Sequence, residues 1–220
     1  MSFQGGAKKK GEGKELTMLH ENILRVAQVL RKKRRFFNME ALLEECCNAL
    51  PNPQTEIDLA IHDLLHMKQF VEGSQLIKED VLRNEKRNRI LEYVTKYPGA
   101  HKREIRKAFG LGAYITHRHL GFLVKFGFLR KSTFQNKSVF FPIDFDETVE
   151  AKTLLLRNDT AKTIYQAIQE RGQLRLSEIS QIVRVPYTTI RSHLTRLIEG
   201  GLIKRIREEN RVLYVKKTEI

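Results

Sequence analysis

The stretch YTTIRSHLTRLIE, residues 187–199, sets hydroxyls and guanidinium groups among aliphatic side chains at helical spacing. At 100° per residue Ile190, Leu194, Leu197 and Ile198 share one face, with His193 at its edge. Thr188, Ser192, Thr195 and Arg196 gather on the opposite face, flanked by Thr189 and Arg191. Such groups can donate and accept hydrogen bonds at base edges and phosphates. The same row would also suit an ordinary solvated helix face, so the surrounding elements have to decide.

Charge narrows the choice. The 220-residue chain carries 40 Lys+Arg against 26 Asp+Glu, a formal net charge of +14. An excess of that size argues for an anionic partner such as nucleic acid or a lipid surface. Residues 1–80 hold 12 basic and 12 acidic side chains, residues 81–146 hold 14 and 5, and residues 147–220 hold 14 and 9. The excess therefore lies entirely in the last two thirds.

That portion repeats. Shifted by 74 residues, Leu82–Pro142 falls without gaps onto Leu156–Lys216, with 11 of 61 pairs identical and hydrophobic positions mostly aligned. LRNE (82–85) meets LRND (156–159), Glu104-Ile105 meets Glu178-Ile179, His119-Leu120 meets His193-Leu194, and Gly127 meets Gly201. Asn84 and Asn158 read as helix N-caps followed by amphipathic helices. Short helices are expected near Glu104 and Glu178, tight turns at 110–112 and 184–186, and longer helices over 113–126 and 187–199. Gly127 and Gly200-Gly201 close the longer helices. FLRK and SVFF in one copy, LIKR and VLYV in the other, then read as hairpins turning at Asn136 and Asn210. Three helices and a two-stranded hairpin is the order of a winged helix.

On these motifs residues 81–217 resemble winged helix-turn-helix transcriptional regulators of the archaeal and bacterial ArsR/MarR-like kind. The fold this implies is mainly α with small β-hairpin wings (α+β), as tandem winged helices. Two copies are clear, at 81–146 and 147–220, and a divergent winged-helix-like module occupies 15–80. The resemblance implies double-stranded DNA as partner, with recognition carried by Thr188, Thr189, Arg191, Ser192 and Arg196 in the major groove. In the middle copy the projected outward face holds Tyr114, Arg118, Gly121 and Phe122, with Ile115 and His117 on its flanks. Tyr114, His117 and Arg118 are the residues expected to touch DNA there. The more apolar Ile115 and Phe122 suit packing against another module or subunit. Lys131 and Lys137 align with Arg205 and Arg211 at the roots and tips of the wings, where winged-helix proteins meet phosphates or the minor groove.

The first 80 residues differ. NILRVAQVLRKK, MEALLEECCNAL and PQTEIDLAIHDLLHMKQF read as three helices, the third with Ile57, Ile61, Leu64 and Leu65 inward, and no wing follows. Glu56, Asp58 and Asp63 on that third helix would repel phosphates, so a homodimer contact or a protein partner suits this module better. Residues 1–14 read as a flexible basic tail. RKKRR (31–35) reads either as a nucleic-acid patch or as a solubilising run.

Other chemistry finds little support. No nucleophile–base pair, phosphate-cradling loop or carboxylate cluster appears, so no enzyme, cofactor or metal is expected. His101, His117 and His119 suit packing rather than ligation, and the vicinal pair Cys46-Cys47 suits a buried structural role in a reduced, cytoplasmic protein. No apolar run approaches the ~18 residues of a membrane span, and no signal-peptide pattern opens the chain. A second class of function stays open. Tandem winged helices also build protein-interaction scaffolds, as in ESCRT-II-like or transcription-machinery subunits.

Overall fold

The computed structural model describes residues 15–33, 39–71, 77–208 and 211–217. The tail 1–14, Arg34 and Arg35 of the basic run, and the turn at Asn210 lie outside them. The chain is mainly helical with two small three-stranded antiparallel sheets. No helix among the described residues is long and apolar enough to cross a membrane. The residues fall into two compact units, 1–92 with 111–129 and 93–110 with 130–220.

The first unit opens with α1 (Met18–Lys33), α2 (Met39–Ala49) and α3 (Gln54–His66). A reciprocal cap starts α1: Thr17 Oγ1 accepts from the His20 amide at 3.3 Å, and His20 Nδ1 accepts from the Thr17 amide at 3.0 Å. Ile23, Leu30, Leu42, Ile57, Ile61 and Leu64 meet in one core, joined by Phe70 and Ile77. Leu65 packs on this core half-buried. Cys46 is fully buried, and its thiol is pushed up to about 12 by burial first and by Cys47 and Glu45 second. A thiol so far from ionisation is inert. After α3 the described residues hold one isolated bridge, Phe70 to Ile77, and no hairpin. Helix α4 (Lys78–Arg83) follows, and its buried Asp80 takes ion pairs from Arg31 and from Arg83 at 3.0 Å. Arg31, the first residue of the basic run, is thus committed to a carboxylate within the fold.

From here one set of elements occurs twice. The first is α5 (Glu85–Lys96), β1 (Ala100–His101), α6 (Lys102–Ala108), α7 (Ala113–Lys125), β2 (Leu129–Phe134) and β3 (Lys137–Pro142). A 3-10 turn at Glu147–Val149 and α8 (Glu150–Leu156) come next. The second set is α9 (Asp159–Arg171), β4 (Gln173–Leu174), α10 (Leu176–Val183), α11 (Tyr187–Glu199), β5 (Ile203–Glu208) and β6 (Arg211–Lys216). In each sheet the hairpin's second strand lies in the middle, paired with the hairpin's first strand and with the short strand: β1-β3-β2 and β4-β6-β5.

A 74-residue shift carries α7, β2 and β3 onto α11, β5 and β6 at both ends. The caps recur too. Asn84 Oδ1 accepts from the Arg87 amide at 3.2 Å, and Asn158 Oδ1 from the Ala161 amide at 3.0 Å. So does the left-handed backbone, at Gly110 (φ 61°) and Arg184 (φ 51°), and at Gly127 (φ 71°) and Gly201 (φ 70°). Buried pairs follow the same step: Ile90 and Ile164, Ile105 and Ile179, Leu120 and Leu194, Leu123 and Leu197, Leu129 and Ile203. Burying each such side chain contributes roughly 1.5–3 kcal/mol, which explains why these positions stay apolar while most others have diverged.

Within the second unit, α8 is clamped at both ends to elements that precede it. At one end Arg130 pairs with Glu150 and, at 3.4 Å, with Glu147, and donates to the Phe145 carbonyl at 3.2 Å. At the other, Arg157 donates to both oxygens of Glu104 at 2.6 Å and to the carbonyls of Tyr97 and Pro98 at 3.2 and 2.9 Å. Tyr93 adds a hydrogen bond to Glu104 at 2.9 Å. Burial acting alone would raise the Glu104 carboxyl, but the hydrogen bonds from Arg157 and Tyr93 outweigh it and hold the group below its ordinary value. Burial, then the bond to Glu104, pushes the Tyr93 phenol up to about 12. Between the clamps Leu154 packs on Val139 and Phe141, while Leu155 lies against Gly200, where a Cβ would meet its Cδ1 at 2.3 Å.

Two outcomes test this account. Arg157→Ala and Glu104→Gln should each lower stability by about 1–3 kcal/mol in denaturant unfolding, with the double variant losing clearly less than their sum. Strictly additive losses would mean the pair is uncoupled. Because Glu104 is held below its ordinary value, its contribution should be present at neutral pH and fade only as acid protonates the folded form. Arg184 occupies the left-handed position that its counterpart Gly110 adopts freely. Arg184→Gly should therefore raise thermal stability by roughly 0.5–1 kcal/mol, and a loss would contradict the reading.

Candidate nucleic-acid interface

Helix α11 begins at the turn that Arg184 makes, with Pro186 at its N-cap (φ −55°, ψ 144°). Its apolar stripe, Ile190, Leu194 and Leu197, is buried against Ile164, Ile168, Ile179 and Ile203. That anchoring turns Thr188, Arg191, Ser192 and Thr195 outward, and all four are exposed. Thr189 and His193 are half-buried at the borders. Burial first, and the charge of Arg196 second, hold the His193 imidazole below its ordinary value. The helix thus presents hydroxyls and one guanidinium on a rigid support, with its N-terminal amides at the same end.

The hairpins carry the other expected contacts. Arg205 sits opposite Tyr214, and Arg211 opposite Glu208, in the β5–β6 ladder, and both arginines are exposed. Lys131 and Lys137 are exposed on β2 and β3. Gln135 (φ 49°) and Asn136 (φ 58°) form the two-residue turn that matches the twist of a hairpin. Strand β5, IKRIRE, adds exposed Lys204 and Arg207, which the aligned wing pairs alone did not single out. The run of cations in that strand is itself the signal. Among the described residues no carboxylate forms an ion pair with Arg191, Arg196, Arg205 or Lys137.

The outward residues of α7 belong to the first unit, whereas Lys131, Lys137 and every expected contact of the last repeat belong to the second. Tyr114 is 74% exposed, Ile115 is 38% exposed, and His117 and Arg118 are exposed. Phe122 departs from the projected outward face. It is half-buried, with Arg87 5.1 Å and Arg118 6.0 Å from its ring centroid. The aromatic face attracts both guanidinium groups, which cover it. Arg87 is only 8% exposed and occupies the place that Ala161 holds 74 residues later. Its burial, and then the charge of Arg118, lower its pKa, and its Nε has no hydrogen-bond partner among the described residues. The His119 imidazole is held below its ordinary value by burial first and then by Arg87, Lys86 and Arg118.

Two of the expected DNA contacts come together elsewhere. Lys137 and Arg196 line one cleft of the second unit with Gln135 and Arg157, so Arg196 lies on the flank of α11 rather than in the middle of its outer face. Among the described residues no group of three His, Cys, Asp or Glu side chains is placed to hold a metal.

A buried guanidinium without a carboxylate is costly to the fold. Arg87→Met should therefore leave thermal stability unchanged or raise it by up to about 1 kcal/mol. A loss of several kcal/mol would show that Arg87 has a structural partner instead.

Two comparisons with known proteins bear on this geometry. Residues 158–219 match the family model described as "Sugar-specific transcriptional regulator TrmB". That segment contains α9 through β6. Over 139 residues the chain is 30% identical to a Methanocaldococcus jannaschii protein described as an uncharacterized HTH-type transcriptional regulator. The match covers 63% of this chain and 35% of the relative, so the chain spans about a third of that protein's length. The matched family model is TrmB, where the motifs themselves resemble ArsR/MarR-like regulators; transcriptional regulation is what the descriptions of the family model and the relative have in common.

Proposed function

We propose that this protein is a DNA-binding transcriptional regulator without catalytic activity, built from tandem winged helices at 81–146 and 147–220. Helix α11 reads the major groove through Thr188, Thr189, Arg191 and Ser192. Arg205, Arg211 and Lys131 follow the phosphates from the hairpins, and Arg118 with Tyr114 and His117 adds contacts from α7. The observation that carries this reading is the outward face of α11. Its buried leucines and isoleucine leave a row of hydroxyls and an unpaired guanidinium exposed. The similarity to transcriptional regulators and the charge of the last two thirds support it.

A second reading, a protein-interaction scaffold, is favoured by the exposure of Tyr114 and Ile115 on α7. In the first module Met18, Val29 and Leu59 are 73%, 50% and 69% exposed, which suits a homodimer or a protein partner there. We place the protein in the cytoplasm, where a DNA-binding regulator works.

Anisotropy of a labelled duplex titrated with the full chain across a salt series separates the two. The logarithm of affinity should fall with log[salt] at a slope of roughly −0.9 per phosphate neutralised. Arg191→Ala should cost about 1–3 kcal/mol and relax sequence preference, whereas Arg205→Ala should weaken all sequences alike and flatten the slope by about one unit. Glu56→Gln should change little. Absence of binding at low salt would leave the scaffold reading standing.

A further inference from the structure

A cleft of about 440 Å3 opens in the second unit, where the turn of hairpin β2–β3 faces α8, the start of α9 and the flank of α11. Its volume lies within the roughly 300–1,000 Å3 of small-molecule sites. Phe134, Leu155 and Leu197 give it apolar walls, while Lys137, Arg157 and Arg196 bring positive charge. Among the described residues Glu104 is the only carboxylate lining it, and both its oxygens are held by Arg157 at 2.6 Å. Lys137, from the hairpin, and Arg196, from α11, have no carboxylate ion pair among the described residues.

Ala161 and Arg196, which line the cleft, stand where the middle copy has Arg87 and Phe122. There the Arg87 side chain is buried and lies over the Phe122 ring at 5.1 Å. Exchanging that pair for alanine and arginine removes a large side chain and replaces an apolar ring with a cation. The result is an open volume with apolar walls and two unpaired cations at its rim.

We infer that this cleft binds a small phosphate monoester bearing an apolar or aromatic group. Lys137 and the forked guanidinium of Arg196 hold the phosphate, and Phe134, Leu155 and Leu197 pack on the apolar part. A dianion matches two cations, and guanidinium geometry suits phosphate oxygens. Such a ligand joins the middle hairpin to the flank of α11, the helix that carries the proposed base contacts, and sets a dianion beside them, so its binding weakens the hold on DNA. This last step rests on the DNA-binding reading above; the binding itself does not.

The test is a titration of the 15N-labelled full chain with phenyl phosphate, using phenol and inorganic phosphate as controls. Saturable shifts at the amides of Gln135, Lys137, Asn158 and His193 are expected, with each control at least about tenfold weaker. Lys137→Gln, and Gln135→Glu, which sets a negative charge at the exposed turn, should each weaken binding about tenfold while the remaining spectrum stays folded. Shifts scattered over surface cations, or affinity unchanged in both variants, overturn the inference. Inorganic phosphate binding as tightly as phenyl phosphate, with duplex DNA displacing both, would assign the seat to the DNA backbone and also overturn it. Duplex anisotropy with and without saturating phenyl phosphate then reads the second step. Weaker DNA binding supports it and unchanged affinity removes it. Failure of any duplex to bind defeats the DNA reading, while the titration still decides the cleft.

Discussion

Arg157, at the junction of α8 and α9, grips Glu104 through two hydrogen bonds and two carbonyl oxygens of the preceding loop with the same guanidinium. Each partner lies in the previous repeat, 53 to 60 residues away in sequence. A half-buried ion pair is favourable only when its donors and acceptors are satisfied together, and Tyr93 completes the set on Glu104. Arg130 does the same at the other end of α8. A seven-residue helix could not hold a position of its own in water. Fastened at both ends, it supports the hairpin β2–β3 on one side and, through Leu155 on Gly200, the end of α11 on the other. The cleft lined by Lys137 and Arg196 exists because of that support.

The two repeats share a scaffold and differ in chemistry. Asparagine caps, left-handed turns and the apolar positions recur because each meets a backbone or packing requirement of the same element order. The outward residues meet no such requirement. In the middle copy a buried Arg87 covers Phe122, and Tyr114 is left to solvent. In the last copy the corresponding helix shows threonine, serine and arginine. One helix therefore shows a polar outer face and the other a mixed one, on longer helices and hairpins that coincide residue for residue.

The first module takes part in neither pattern. Its core is closed by three helices and an isolated bridge, its charges balance, and Arg31 is turned inward to Asp80. Positive charge on a sequence run is thus not the same as positive charge offered to a partner. The unpaired cations on α11, β3 and β5 are offered, whereas Arg31, Arg130 and Arg157 are committed to carboxylates.

Helix order, both hairpins, the 74-residue step, the Asn84 and Asn158 caps and the inward leucines were legible in the sequence. Each depends on neighbours close along the chain or on a period that local geometry imposes. Short α4 and α8, the third strand of each sheet and the shielding of Phe122 were not, since they depend on partners brought in by folding. The outer face of α11 followed from periodicity, but the placing of Arg196 on its flank did not, because one helix cannot say which hairpin will lie beside it. The sequence by itself determined which residues must be buried and which helix shows hydroxyls. Only the tertiary structure decided which cations are spent on carboxylates and which remain open, because ion pairs such as Arg157 with Glu104 join side chains that no local pattern relates.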